Sequence, residues 1–202
     1  MRIVVFGSTG GTGRLLVEQA RQRGHQVVAV ARRDPDEPFG DGVALVRGQP
    51  SDRSVIAGAV AGADAVLFAL GPRAGVTTTE ISDATSAIVG VLQGHTPTRL
   101  VVPGNASVYS DKELTGAYAN VGEEHRRVVA LVRDSALPWS ALVAPTLTDD
   151  PATGSVLTAI DERPPGRTLT RGDFAATMLD AIAHPEWVGH LVGVANPHPD
   201  DG

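Results

Sequence analysis

A glycine-rich stretch near the start of the chain has the pattern of a phosphate-binding turn. Gly7, Gly10 and Gly13 follow an apolar run at residues 3–6 and precede an amphipathic segment. Glycine allows a tight turn at the first position, close approach of a phosphate at the second, and packing of helix on strand at the third. The pattern predicts binding of a dinucleotide's diphosphate; the alternative is a tight turn with only a structural role. The predicted contacts are Gly7, Thr9, Gly10, Gly11, Thr12 and Gly13.

Two arginines stand where the adenosine ribose of such a dinucleotide would lie. Arg32 and Arg33 follow an apolar run at residues 26–31, which is predicted to be the second strand. An acidic residue there would bind the 2′-hydroxyl of NAD, whereas arginine suits the 2′-phosphate of NADP. We therefore expect NADP(H) as the cofactor and keep NAD(H) as the alternative. In the other interpretation the arginines only solvate the end of a strand.

Residues after the third and fourth predicted strands would complete the cofactor site. Gln49 is expected to flank the adenine, and Leu70 and Gly71 to lie where ribose and diphosphate cross the sheet edge. Gly71 would leave room for the ligand. Arg73 could reach a phosphate or be solvated in a loop.

Alternating apolar runs and amphipathic segments predict a doubly wound α/β fold with a mainly parallel sheet. We expect one domain over residues 1–202 with helices on both faces of the sheet. The predicted strands are 3–6, 26–31, 43–47, 65–70, 100–102, 140–144 and 191–194. The predicted helices are 12–23, 52–61, 78–93, 120–134 and 173–183.

Local signals refine this order. Thr77 and Glu80 have the spacing of a capping box at the start of predicted helix 78–93. Ser51 could cap predicted helix 52–61. The proline- and glycine-rich segment 145–167 is expected to run over the carboxyl edge of the sheet. That edge binds ligands in open parallel sheets, so 145–167 and 104–119 are the candidate substrate walls, with ordinary surface loops as the alternative.

Composition limits the class of protein. The chain has 202 residues, 42% of them hydrophobic, no cysteine and a net charge of −6. The acidic balance disfavours nonspecific binding of nucleic acid, and no apolar run is long enough to predict a membrane span. We expect a cytoplasmic monomer or homodimer without a metal site.

Together these residues resemble the atypical short-chain dehydrogenase/reductase group, specifically the NADPH-dependent biliverdin-IXβ/flavin reductases and their nitrogen-metabolite-repressor-like relatives. The matching positions are the glycines of 7–13, Arg32, 70–73, 123–125, 151–154 and 171–175. The resemblance implies a Rossmann-type fold and hydride transfer to a flat conjugated acceptor such as a flavin, a linear tetrapyrrole or a quinone. It also implies that Pro145 and Thr146 meet the nicotinamide carboxamide. The chain departs from the group at Gln49, often Asp, and at Asn105, often Ser.

The tyrosine and lysine pair of most short-chain dehydrogenases is missing. Its lysine stands four residues after the tyrosine, but the chain's single lysine, Lys112, follows Tyr109 by three residues. Tyr118 is followed at the fourth position by Gly122. By resemblance to relatives that contain the motif, His125 is the residue at the position of their lysine. A carbonyl reductase or sugar epimerase of the usual type is therefore disfavoured.

Asn105 and Tyr109 are the candidate catalytic residues. Asn105 could bind the nicotinamide or the substrate, or only cap the following turn. Tyr109 could stack on or protonate the acceptor, or only pack in its loop. His125 shares a helical face with Val121, Val128 and Val132, which favours a packed histidine over a general acid.

Two functions remain from the sequence. The first is an NADPH-dependent oxidoreductase that acts on a small planar molecule. The second is a sensor that binds NADP(H) without catalysis and changes its affinity for a partner protein; an isomerase has less support because it would also need an acid/base pair.

Overall fold

The computed structural model describes residues 1–72, 75–94, 98–110, 112, 115–116 and 118–197. Arg73 lies outside the described residues. Within them, eight strands form one sheet, and seven of the eight run parallel. This confirms the predicted doubly wound, Rossmann-type architecture.

The central sheet has the strand order β3-β2-β1-β4-β5-β6-β10-β8. Its strands are β1 Arg2–Phe6, β2 Gln26–Ala31, β3 Val43–Arg47, β4 Ala65–Phe68, β5 Arg99–Asn105, β6 Trp139–Ala144, β8 Leu157–Ile160 and β10 Leu191–Ala195. The chain reverses its direction of winding between the neighbours β1 and β4. Ligands bind at such switch points in doubly wound sheets.

Helices cover both faces of this sheet, as predicted. They are α1 Gly11–Gln22, α2 Arg53–Val60, α3 Glu80–Leu92, α4 Ala119–Arg133 and α5 Arg171–Asp180. Leu16 of α1 and Met178 of α5 are fully buried against one face. Ile56, Ile88 and Val128, from α2, α3 and α4, are buried against the other. The apolar strands are sandwiched between these layers, which is why they read as continuous hydrophobic runs.

The predicted capping box of Thr77 and Glu80 is wrong. Helix α3 has Thr79 as its N-cap residue, without a side-chain capping bond. Instead, the buried carboxylate of Glu124 accepts hydrogen bonds from the backbone N–H groups of Ile81 and Ser82 at 3.0 and 3.1 Å. Burial raises the pKa of Glu124, but the bonds from Ser82 and Arg127 outweigh it and leave this pKa below its ordinary value. A carboxylate from α4 therefore caps α3.

The cap of α2 also differs from the prediction by one residue. Asp52 rather than Ser51 is the N-cap, and its Oδ1 accepts a hydrogen bond of 2.8 Å from the backbone N–H of Ser54. Both residue types suit this position. Asp52 caps α2 because it lies directly before the first helical residue and has an extended backbone, which is typical of an N-cap residue.

The segment 145–167 has more regular structure than expected. It contains β7, Thr146–Thr148, and then β8, which pairs antiparallel with β10 at the edge of the central sheet. After the segment, β9, Thr168–Thr170, pairs with β7 in a separate two-stranded sheet. The segment is thus attached to the sheet on one side and to the start of α5 on the other.

Candidate functional site

The turn after β1 has a geometry that only glycine satisfies at two positions. Gly7 has a φ of +79°, and a Cβ added there would lie 2.9 Å from the backbone of Ala69. A Cβ added to Gly13 would lie 2.0 Å from the carbonyl oxygen of Gly7. The first glycine therefore brings β1 close to the end of β4, and Gly13 lets α1 pack directly on the turn.

The N-terminus of α1 is not capped by a side chain. Its N-cap residue is Gly10, which has no side chain to bond the first N–H groups, and the first turn holds no acidic residue. Unpaired N–H groups and the positive end of a helix dipole make a binding site for phosphate. The residues present therefore fit the diphosphate of a dinucleotide.

A cleft of about 1040 Å³ opens in front of this helix end. It runs along the carboxyl ends of β1, β4, β5 and β6, the edge predicted to bind ligands. The structure brings together there eight residues that the sequence assigned to the site: Gly10, Gly11, Thr12, Leu70, Gly71, Asn105, Pro145 and Thr146. Gly7 and Gly13 form the turn itself.

The two arginines after β2 have different surroundings. Arg33 lines a second cavity of about 270 Å³ together with Thr9, Arg14 and the acidic side chains Asp34, Asp36 and Glu37. Arg32 points elsewhere, because its Nη1 pairs with Glu80 Oε1 at the start of α3 at 2.8 Å. The structure thus separates residues that the sequence treated as one pair. Gln49 is exposed, and its backbone carbonyl accepts a hydrogen bond from the N–H of Asp52.

Asn105 caps the turn after β5 and also faces the cleft. Its Oδ1 accepts a hydrogen bond of 3.1 Å from the backbone N–H of Ser107, at the start of a 3-10 helix over Ala106–Tyr109. The capping role is therefore present. Its side-chain nitrogen has no hydrogen-bond acceptor among the described residues, and this leaves two donors available on the cleft wall.

Tyr109 does not lie on the cleft wall formed by the described residues. Its hydroxyl donates a hydrogen bond of 3.0 Å to the carbonyl of Glu162. Burial and the nearby carboxylate of Asp161 raise the pKa of Tyr109 to about 12. Its placement supports the packing alternative rather than stacking on an acceptor.

His125 is buried, as its spacing predicted, and it also forms part of the cleft wall. Its Nδ1 lies 3.2 Å from the carbonyl oxygen of Pro103. A carbonyl only accepts, so Nδ1 carries the proton. Burial lowers the pKa of His125 more than the bond to Pro103 raises it, which keeps the ring neutral at neutral pH.

Three arginines on the cleft wall were not assigned to the site from the sequence: Arg163, Arg167 and Arg171. Arg171 begins α5, and a Cβ added to Gly11 would lie 3.2 Å from its Cδ. A cation in the first turn of a helix opposes the helix dipole. That local conflict was the available signal for a functional role of Arg171.

Asp173 fixes the wall formed by 145–167. Its carboxylate is buried and accepts hydrogen bonds from the backbone N–H of Thr153 and Gly154 at 2.9 Å each, and from Asn196 Nδ2 at 2.7 Å. Burial raises the pKa of Asp173, but the bonds from Thr153 and Asn196 lower it further, so the net pKa lies below its ordinary value. One carboxylate thus joins α5, the end of β10 and the middle of the segment.

Asp173→Asn is expected to lower the free energy of unfolding by about 2 kcal/mol, because an amide nitrogen would face the donors that the carboxylate accepts. A depressed folded-state pKa gives stability that is present above the unfolded pKa of about 3.9 and is lost as pH falls through the folded value. The difference between wild type and variant should therefore shrink below about pH 4. Urea titrations at neutral and acid pH measure it. Asp36→Asn, on an exposed side chain without a hydrogen bond to any described residue, is the control. A difference that does not depend on pH would contradict this assignment.

The described residues contain no group of His, Asp and Glu side chains that could hold a metal ion. In the same part of the chain, no helix is long and apolar enough to cross a membrane.

Three known proteins are similar to this chain over most of its length. Uncharacterized protein YwnB of Bacillus subtilis is 27% identical over 208 residues, which cover 92% of this chain and 94% of that protein. A candidate NADH-flavin reductase from Streptococcus pneumoniae superposes with a TM-score of 0.84 at 19% identity, covering 98% of this chain and 100% of that one. The anaerobillin reductase ChuY from Escherichia coli O157:H7 has a TM-score of 0.82 at 19% identity and full coverage of both chains. At 19% identity, the Streptococcus pneumoniae and Escherichia coli structures show only that they share the fold of this chain.

The family assignment rests on most of the chain. Residues 7–185, from the first glycine of the turn to the end of the α5 region, match the family described as NAD(P)H-binding. The matched part includes both the turn and the segment that forms the far wall of the cleft. The chain therefore belongs to the NAD(P)H-binding family, and the resemblance predicted from its sequence is confirmed at that level.

Proposed function

We propose that this chain is an NADPH-dependent reductase that transfers hydride to a flat conjugated acceptor. The observation that carries the proposal is the uncapped N-terminus of α1, which faces a cleft of about 1040 Å³. The cleft volume lies at the upper end of the range of about 300–1,000 Å³ typical of a small-molecule site, which leaves room for a cofactor together with a second ligand. The solved structures of similar fold include one reductase for anaerobillin and one candidate reductase for flavin.

The phosphate end of the site would be held by backbone and by arginine. The N–H groups of Gly11 and Thr12 would face the diphosphate, and the side chain of Arg171 lies against the same turn. Arg33 and Arg14 line the smaller cavity, where the 2′-phosphate of NADP would bind. Arg14 Nη2 already lies 3.5 Å from Glu37 Oε2, so Arg33 is the guanidinium of this cavity without an ion pair among the described residues, and a guanidinium group favours a phosphate over a hydroxyl. This supports NADP(H) over NAD(H).

At the nicotinamide end of the cleft, the protein would need to position the two ligands rather than to donate a proton. When bound, the dihydronicotinamide would supply the hydride, and a conjugated acceptor would spread the incoming negative charge and take one proton from solvent. Asn105 would donate from its side-chain nitrogen to the carboxamide or to the acceptor. The walls at Pro145 and Thr146 and at His125 would hold the two planes together, and such positioning can supply much of the rate acceleration.

One observation favours the sensor as a second candidate. Tyr109 is bonded to the carbonyl of Glu162, and the proton of His125 is bonded to the carbonyl of Pro103. Neither proton is offered to the cleft. A protein that only binds the cofactor and reports its redox state needs no such proton.

Steady-state oxidation of NADPH with a panel of flavins, quinones and linear tetrapyrroles tests the proposal. We expect turnover with at least one class and a lower KM for NADPH than for NADH. Binding of NADPH without turnover over the whole panel would support the sensor, particularly if NADP+ and NADPH bind with different affinities. Failure to bind either cofactor would overturn both candidates.

A further inference from the structure

The charge on the cleft wall has the opposite sign to that of the chain. The net charge of the protein is −6, but the described residues on the wall include three arginines and a single acidic residue, Asp149. A low-dielectric cleft lined by one sign of charge concentrates ligands of the other sign. The cleft is therefore suited to anions beyond what its glycine turn alone requires.

The three arginines have different partners. Arg171 is bound at the glycine turn, because its Nε pairs with Asp149 Oδ1 at 2.7 Å and its Cδ lies against Gly11. Arg163 and Arg167 form no ion pair or hydrogen bond with any residue that the structure describes. Their guanidinium donors remain available to a ligand in the cleft.

The segment that carries these two arginines is held in place. The hydroxyl of Tyr109 donates to the carbonyl of Glu162, and a Cβ added to Gly193 of β10 would lie 2.1 Å from that same carbonyl oxygen. Gly166 has a φ of +119°, and a Cβ added there would lie 2.6 Å from the carbonyl oxygen of Asn196. Pro164 and Pro165 stiffen the chain between the two arginines. A fixed backbone reduces the entropy lost when the side chains bind a ligand.

The cleft wall also contains apolar side chains. Leu147, Val121 and Phe174 line the cleft with the two arginines. Phe174 is nearly fully buried. A flat hydrophobic ring system with acidic substituents matches this combination of an apolar surface and free guanidinium groups.

We infer that Arg163 and Arg167 form an anion-binding site for the carboxylate or phosphate groups of the acceptor. The inference rests on the proposed reductase function and narrows it to acidic acceptors. A phosphate would come from a phosphorylated flavin, and carboxylates from a linear tetrapyrrole. A planar acceptor without an acidic group would lose these contacts.

The test compares pairs of acceptors that share a ring system and differ in their acidic groups. Each pair is measured with wild type and with the double variant Arg163→Gln/Arg167→Gln. FMN is compared with riboflavin, and biliverdin with its dimethyl ester, by KM and by direct titration of the protein saturated with NADPH. For wild type we expect the charged member of one pair to bind roughly tenfold more tightly than the neutral member, because a hydrogen bond to a charged group contributes an affinity ratio of about that size. The ratio should fall as salt is added, since salt screens the charges. The variant should lose this preference and bind the neutral member unchanged.

A matched control has the same change of charge elsewhere. Arg53→Gln/Arg133→Gln removes two exposed arginines that do not line the cleft, and it should keep the preference for the charged acceptor. A preference for FMN would identify phosphate as the bound group, and a preference for the free tetrapyrrole would identify carboxylate. Equal affinity within both pairs, or a preference that survives in the cleft variant, would overturn the inference.

Failure of the inference can be distinguished from failure of the proposed function. Acceptor preference is compared between wild type and the cleft variant at saturating NADPH, and NADPH affinity is measured separately for each protein, so that a change in cofactor binding is not counted as loss of the anion site. If wild type binds NADPH and reduces charged and neutral acceptors equally well, only the anion site is excluded. If wild type does not bind NADPH, the reductase is excluded, and direct titration of the acceptors against protein alone still tests the anion site.

Discussion

Gly13→Ala is expected to destabilise the fold by about 3 kcal/mol and to abolish cofactor binding, because overpacking without room for relaxation reaches that size. The added Cβ would lie 2.0 Å from the carbonyl oxygen of Gly7, 2.8 Å from its carbonyl carbon and 2.9 Å from the Cα of Ser8. All three are backbone atoms, so no change of rotamer relieves the contact. Helix α1 would have to move away from β1, which would displace the N–H groups that face the cleft. Urea unfolding and NADPH titration measure the two effects.

A glycine in another helix provides the matched control. Gly58 lies in α2 on an exposed surface, and a Cβ added there meets no atom within 4 Å. Gly58→Ala should stabilise the protein by up to about 1 kcal/mol, since alanine is the better helix former. The same substitution should therefore have opposite signs at the two sites. A Gly13→Ala variant as stable as wild type would show that the close packing of turn and helix is not required.

Arg33→Ala is expected to weaken NADPH binding by roughly tenfold to a hundredfold, because charge-assisted bonds to a phosphate contribute about 1.5–3 kcal/mol. NADH binding should change little, since NADH has no 2′-phosphate. Arg33 lines the smaller cavity with Thr9 and Arg14, and no described residue forms an ion pair with it. Isothermal titration with both cofactors gives the ratio of affinities.

Arg32→Ala is the comparison that the structure supplies. The guanidinium of Arg32 already pairs with Glu80 at 2.8 Å, with both side chains more than half exposed. A ligand phosphate would have to compete with that carboxylate, so we expect a smaller loss of NADPH affinity than for Arg33→Ala. Loss of equal size in both variants would mean that the pair with Glu80 opens on binding. No effect of Arg33→Ala would remove the basis for preferring NADP(H).

The features of the glycine turn that could be predicted from the sequence depend on local backbone requirements. The positive φ of Gly7 and the close packing at Gly13 follow from the order of strand, turn and helix, which the apolar run at 3–6 already indicates. The central parallel strands were predictable for a similar reason. They are buried on both faces, so each produces an uninterrupted hydrophobic run.

The parts that the sequence does not predict depend on contacts between distant residues. The carboxylate that caps α3 comes from Glu124, which is 43 residues from Ile81 along the chain. Strands β7 and β9 have three residues each, too few to show a period of two. The hydroxyl of Tyr109 is bonded to a carbonyl 53 residues away. No local pattern contains these pairings.

The arginines of the cleft show the same limit. Arg163 and Arg167 lie in a proline- and glycine-rich stretch that has no periodicity, so the sequence offers no direction for their side chains. Their position on the cleft wall results from the pairing of β8 with β10 and from the buried carboxylate of Asp173. The arginines of the cleft wall were therefore less predictable than the glycine turn.

Gly10→Val is the variant that separates binding of a dinucleotide's diphosphate at the turn and the N-terminus of α1, as we propose, from a purely structural role of the turn. Gly10 has a φ of −77°, and a Cβ there would meet only the carbonyl oxygen of Gly7 at 3.4 Å, so the variant should fold, with a loss of about 1 kcal/mol as a weaker N-cap. Calorimetric titration of folded wild type and variant with NADPH is the measurement. We expect that wild type binds NADPH and that the affinity for NADPH falls roughly a hundredfold when the added side chain blocks the helix end. No binding by wild type, or equal affinity of the folded variant, would contradict it.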